Sequence, residues 1–147
     1  IKMQGIRIYE MPECKMVSSG IGMFGEEKFE RFYKWFSSQK PSLFPKNFLL
    51  HEQNSFNWLY IYEESMIVPD EFEIIDFPGG FYAAATDIDQ HTDVESMNRE
   101  INLFLEQNGF ERDNSRAELG SVISSLGAQK IMGYAQMDYY TPVKAKR

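Results

Sequence analysis

An internal repeat constrains this chain more than any other feature. Set "IRIYEMPECKMV" (6–17) above "FEIIDFPGGFYA" (72–83): Ile8 falls on Ile74, Glu10 on Asp76, Met11 on Phe77 and Pro12 on Pro78. Each copy reads as an alternating strand, then an acid, an apolar residue and a proline, then a second extended stretch. Proline inside a strand demands an edge or a bulge, and the Gly79-Gly80 pair predicts a bulge.

The segments after the two copies agree as well. "GEEKFERFYKWFSSQ" spaces Phe29, Phe32, Trp35 and Phe36 three and four apart, with Glu26 and Glu27 at its start, which is an amphipathic helix. "DVESMNREINLFLEQNG" places Asp93 as N-cap and Val94, Met97, Ile101, Phe104 and Leu105 as an apolar stripe; Asn108-Gly109 supplies the stop. Strands come next: "NFLLHEQ" and "NWLYIYEE" around the turn residues Asn54 and Ser55, and, in the second half, "RAELGSV" and "GYAQMDYYTPV". The intervening "SSLGAQKIMG" is assigned no element. Each half, about 5–65 and 71–144, therefore reads strand–helix–strand–strand. Two such halves predict one α+β domain over 1–147, with two helices on a largely antiparallel sheet. A chain of 147 residues suffices for one well-buried domain and is short for two.

Aspartate is among the poorest strand residues, so Asp138 in "MDYYTPVK" needs solvent, a partner or a role. Pro142 lies where pairing is expected to end. Side chains alternate along a strand: Leu59 and Ile61 point one way, and Trp58, Tyr60 and Tyr62 the other. In the last strand Met137, Tyr139, Thr141 and Val143 share one face; Tyr134, Gln136, Asp138 and Tyr140 share the opposite one. The aliphatic faces are expected beneath the helices. Aligning the halves sets Trp58 on Asp138 and Tyr60 on Tyr140, so that both sets face a common groove, with Glu118 of "RAELG" as a third member. Aromatic faces and carboxylates together favour a flat cationic or amine-bearing ligand, each cation–π contact contributing about 0.5–2 kcal/mol. The plainer alternatives are amphipathic cover for the rings and, for Asp138, solvent or an ion pair with Lys144. Aromatic residues make up 15% of the chain, more than a core of this size requires.

Charge and composition exclude several classes. The formal net charge is −7 and the only dense basic cluster is the terminal "KAKR", read as a solvated tail, so direct DNA contact is not expected. Cys14 stands alone, which rules out a disulfide framework, and His51 and His91 lack ligand spacing; no metal and no cofactor is expected. No apolar run approaches the roughly 20 residues of a membrane span, and no signal region is present. A reduced, cytoplasmic setting is the expectation. The opening at Ile1 rather than Met suggests excision from something longer.

Three motifs in order carry a family resemblance: the opening "I-x-x-x-E-x-P" strand, "GFERD" at 109–113, and the acid-x-Tyr-x-Pro-Val of 138–143. The chain resembles, over nearly its whole length, the GyrI-like effector-binding domain found at the C-terminus of many AraC-type and MerR-type transcription regulators. That resemblance implies paired strand–helix–strand–strand repeats around a central ligand cleft with an acid in its middle. Glu118 then resembles the central pocket glutamate, Asp138 and Tyr140 match the acid and tyrosine of the last strand, and Trp58 and Tyr60 match the aromatic wall. Tyr62 and Tyr82 complete the candidate ligand contacts, and no catalytic residue is implied. Asp138 departs from the longer glutamate common in the family. The implied partner is a small cationic or aromatic molecule, with DNA reached only through a separate helix-turn-helix domain and a homodimer compatible with the reading. Some similar proteins resemble hydrolases of electrophilic drugs or inhibitors of gyrase, which is the alternative function.

Overall fold

The computed structural model describes residues 5–44, 46–89 and 92–147, so His91 lies outside the described residues. Strands β1 (Ile6–Met11) and β2 (Cys14–Gly22) succeed one another across Pro12, yet they pair with different partners. β1 pairs with β6 (Gly80–Ile88), and β2 pairs with β5 (Glu73–Phe77), both antiparallel. The same division recurs at Pro78, which separates β5 from β6. Each sequence repeat therefore gives its leading strand to the ladder of the other. The chain divides accordingly into two compact units, Pro12–Gly79 and the residues up to Met11 together with Gly80–Arg147. The bulge expected at Gly79-Gly80 is instead this connection: both glycines adopt positive φ, 69° and 120°, a region that disfavours side chains. Pro12 and Pro78 lie between strands, so neither removes a ladder hydrogen bond.

Helix α1 (Glu27–Ser37) belongs to the first of these units and α2 (Val94–Asn108) to the second; we call them the α1 unit and the α2 unit. In the α1 unit the strand order is β3 (Asn47–Glu52), β4 (Ser55–Ile61), β2, β5. The β3–β4 turn falls one residue earlier than expected, at Gln53 and Asn54, with Gln53 at φ 52°. Phe29, Phe32 and Phe36 of α1 are buried as their spacing predicts, and Trp35 is half-buried.

In the α2 unit, β9 (Gln136–Ala145) pairs with β6 on one side, and with β7 (Phe110–Arg112) and β8 (Leu119–Val122) on the other. Asp93 caps α2 by accepting a hydrogen bond from the Ser96 amide, and Gly109 ends it in the left-handed conformation, φ 78°. Ile101 and Leu105 are buried against Ala83 and Val143, with Met97 and Phe104 alongside, while Val94 is exposed. Ala83 and Ala85 are the small residues on this face of β6. The stretch left unassigned holds a third helix, α3 (Leu126–Met132), capped by the Ser125 hydroxyl and ended by Gly133 at φ 83°.

Pro142 does not end the pairing. β9 runs on to Ala145, and Pro142 stands opposite Tyr82 in the ladder. Its carbonyl accepts from the Asp113 amide, so its missing N–H faces the gap between β8 and β7, where no ladder bond is lost. The strands pair antiparallel within each unit, and the class is α+β as expected. No helix among the described residues is long and apolar enough to cross a membrane.

Candidate functional site

Asp138 is 6% exposed, and its register decides its surroundings. In β9 it pairs across to Thr86, Tyr140 pairs with Ala84, and Ala84 in turn pairs with Arg7 of β1. Tyr9 stands opposite Tyr82, and Ser121 of β8 opposite Asp138. Arg7, Tyr9, Tyr82, Ala84, Thr86, Asp138 and Tyr140 therefore share the face of the α2 unit opposite the one α2 covers. Alternation along "IRIYE" explains β1's part: Ile6 and Ile8 pack under α2, and Arg7 and Tyr9 point the other way. Ala84 has only a methyl group there, which leaves room for longer side chains of β1 to reach β9.

Among the described residues the Asp138 carboxylate has three partners. The Thr86 hydroxyl donates to Oδ1, the Tyr140 hydroxyl donates to Oδ2 at 3.1 Å, and one Arg7 guanidinium nitrogen lies 3.5 Å from Oδ2. Burial, and then the adjacent Asp138 charge, push the Tyr140 phenol well above its ordinary value. It thus remains a protonated donor at any physiological pH. Around this group the rings are arranged edge and tilt: Tyr9 and Tyr140 have centroids 6.2 Å apart at 56°, and Tyr82 and Tyr140 are T-shaped at 6.4 Å.

Tyr82 has a second neighbour that the sequence did not single out. The Arg116 guanidinium lies 4.7 Å from its ring centroid. Arg116 also donates to Asp113 Oδ2 at 2.9 Å and to the carbonyls of Phe81 and Val143 at 2.9 and 2.8 Å. Gly80 is part of this fit, since a Cβ there would collide with the Arg116 guanidinium. Hydrogen bonds from the Ser115 hydroxyl, and then from Arg116 and the Ser115 amide, hold the Asp113 carboxyl low, at about 2.

The other candidates lie elsewhere. Trp58 and Tyr60 are on the α1-covered face of β4, a correction to the expectation that the aliphatic faces lie under both helices. Trp58 packs against Phe29, Phe32, Tyr33 and Phe36, and Tyr60 stacks on Phe36 at 5.3 Å and 16°. Tyr62 packs against the same core. The cause is a slip of one residue. The repeat sets Val17 on Ala83; Val17 pairs with Tyr60, whereas Ala83 pairs with Thr141. Tyr60 thus corresponds to Thr141 and Trp58 to Tyr139, while Asp138 corresponds to Asn57 and Tyr140 to Leu59. A shift of one residue exchanges the faces of a strand. Asn57 keeps the polar character of its counterpart, accepting at Oδ1 from Ser18 at 2.6 Å.

Glu118 precedes β8 and is exposed, 3.9 Å from Arg112, which itself donates to Asn98 and Asn102 of α2. It is not brought to Asp138. Lys144 pairs with Glu111 rather than with Asp138. Of the seven candidates, the structure brings together Asp138, Tyr140 and Tyr82, and adds Arg7, Tyr9 and Thr86. Alternation alone could have placed Arg7 and Tyr9 on one face of β1; that β1 pairs with β6 could not be read locally. Among the described residues no group of three or more His, Cys, Asp or Glu is arranged to hold a metal ion.

No family model matches the sequence, and no curated protein matches it either. Solved structures do match. The EcmrR C-terminal domain superposes with a TM-score of 0.64 at 12% identity, covering 95% of this chain and 97% of that one. Against EcmrR in its DNA complex the present chain spans 57% of the longer protein's length. A hydrolase from Listeria innocua gives 0.64 at 10% identity, covering 96% and 92% of the two chains. SAV2435 bound to tetraphenylphosphonium gives 0.52 at 10% identity, covering 96% and 94%. The chain has the fold of these proteins, the fold that the GyrI-like resemblance implies.

Proposed function

We propose that this chain is a binding module that takes a small, lipophilic, aromatic cation on the Asp138 face of the α2 unit. The observation that carries the reading is one buried carboxylate bonded to Tyr140, whose ring meets those of Tyr9 and Tyr82, on the face opposite the helix. A carboxylate in such surroundings supplies direct charge pairing, and the rings supply cation–π attraction and apolar contact. Two similar folds are in keeping with it: SAV2435 is solved with a lipophilic cation, and the EcmrR C-terminal domain belongs to a protein solved on DNA. In the fuller form of the proposal, occupancy of this face is passed to a DNA-binding segment by the ligand's differential affinity for two states. Membership of the AraC type and multidrug breadth are not needed for it.

Tetraphenylphosphonium and tetraphenylborate test the reading because they share a shape and differ in charge. At about ten times its Kd, the cation raises the melting temperature by roughly 3–5 °C, and the anion gives no comparable rise. Equal shifts, or a larger one with the anion, remove the acidic seat from the account.

The Listeria innocua neighbours favour a second reading, hydrolysis of an electrophilic compound. Asp138 would be its carboxylate. Its oxygens are already engaged by Thr86, Tyr140 and Arg7, which suits a charge partner better than a general base. Turnover abolished by Asp138→Asn with ligand binding retained would favour this second reading.

A further inference from the structure

The α2 unit presents two arginines on or beside the same aromatic face, and they are held very differently. Arg116 makes a hydrogen bond to Asp113 and further ones to two backbone carbonyls, besides lying over Tyr82. Such a guanidinium is a fixed part of the framework. Arg7 has one contact with Asp138, through a single nitrogen at 3.5 Å, and one with a ring: its guanidinium carbon lies 5.2 Å from the Tyr9 centroid. Its side chain is half exposed, whereas that of Asp138 is 9% exposed. A carboxylate on one side and an aromatic face on the other is an environment suited to an organic cation, and Arg7 sits in it.

We infer that Arg7 is a resident cation occupying the seat that an incoming cation takes, and that it sets the threshold and class of ligand. The inference rests on the proposed binding of cations at this face. A ligand binds by displacing the guanidinium from Asp138 Oδ2 and from the Tyr9 ring into solvent, which its 50% side-chain exposure already adjoins. The net charge of the seat is therefore unchanged by binding. Only a cation with delocalised or shielded charge and more apolar surface than guanidinium gains by the exchange. Compact, strongly hydrated amines and metal ions do not, because they would replace a weakly hydrated cation with one more costly to desolvate. The Asp138 contacts with Thr86 and Tyr140 persist through the exchange and hold the carboxylate in place.

The test is a calorimetric titration of tetraphenylphosphonium into the wild-type chain, Arg7→Met and Lys144→Met. Arg7→Met keeps an unbranched apolar stem and removes the resident charge; it tightens binding by roughly three- to tenfold. Lys144→Met makes the same change of net charge away from Asp138, at a lysine paired with Glu111, and leaves Kd within about twofold. If the wild-type chain binds and Arg7→Met binds equally or more weakly, the resident-cation inference is overturned while cation binding stands. If neither chain binds, the proposed function fails and takes the inference with it. If Lys144→Met tightens binding as much as Arg7→Met, general charge explains the effect and the inference is overturned. Should Arg7→Met not fold, the Arg7 guanidinium resonances of the wild-type chain decide: they move to free-arginine positions on saturation, and unchanged resonances overturn the inference.

Discussion

The α1 and α2 units are built from the same repeat, yet the rings of β4 face their helix while Tyr9, Tyr82 and Tyr140 lie opposite theirs. In the α1 unit Trp58 and Tyr60 point toward the helix and meet Phe29, Phe32 and Phe36, and the far face of β4 carries Leu59 and Asn57. In the α2 unit the helix meets Ala83, Val143, Ile6 and Ile8, while Tyr9, Tyr82, Tyr140 and Asp138 occupy the far face. Strand β4 uses its rings as core, and β1, β6 and β9 group Tyr9, Tyr82 and Tyr140 on the face that carries a charge.

That contrast predicts where damage falls. Phe32 is fully buried and packs edge-on against Phe72 and Phe36. Phe32→Ala costs about 3–5 kcal/mol of stability, measured by urea unfolding, and leaves the affinity of the remaining folded protein for tetraphenylphosphonium unchanged. Weakened binding in the folded fraction would mean that the α1 aromatic core also serves the ligand. Asp93→Ala removes the side-chain cap of α2 and costs about 1 kcal/mol. A cost below a few tenths would show that the helix is held by its Ile101 and Leu105 contacts alone.

The smallest effect concerns pH. Asp113 is held near 2 when folded, against an ordinary 3.8, so its contribution is present above the unfolded value. It is lost as pH falls from about 4 toward 2, where the folded group also takes its proton. Asp113→Asn should flatten the acid limb of a pH–stability curve over that interval and leave the curve above pH 5 unchanged in slope. A mutant curve parallel to the wild type below pH 4 would detach Asp113 from the Ser115 and Arg116 hydrogen bonds that define its surroundings.

Much of this was legible in the chain because it depended on local spacing. The α1 stripe, the Asp93 cap, the Gly109 stop and the placement of Asp138 and Tyr140 opposite Val143 all derive from three or four residues at a time. What failed was non-local. Whether Trp58 matches Asp138 or Tyr139 depends on the pairing of β2 with β4, and an error of one residue inverts the face. The repeat was visible at Pro12 and Pro78, but the exchange of leading strands was not. Without it nothing brings Arg7 near Asp138, though both were in plain view. Helix α3 escaped because it is short, Leu126–Met132, and has no buried residue to give its pattern a period.

The most direct measurement is one titration of tetraphenylphosphonium, by calorimetry, into the folded wild-type chain, Asp138→Asn and Trp58→Phe. If the face of the α2 unit opposite its helix is the cation seat, Asp138→Asn weakens binding by about tenfold or more, near 1.4 kcal/mol, and Trp58→Phe stays within about twofold. The reverse pattern, with Asp138→Asn silent and Trp58→Phe impaired, would contradict the account and return the site to the aromatic face beneath α1.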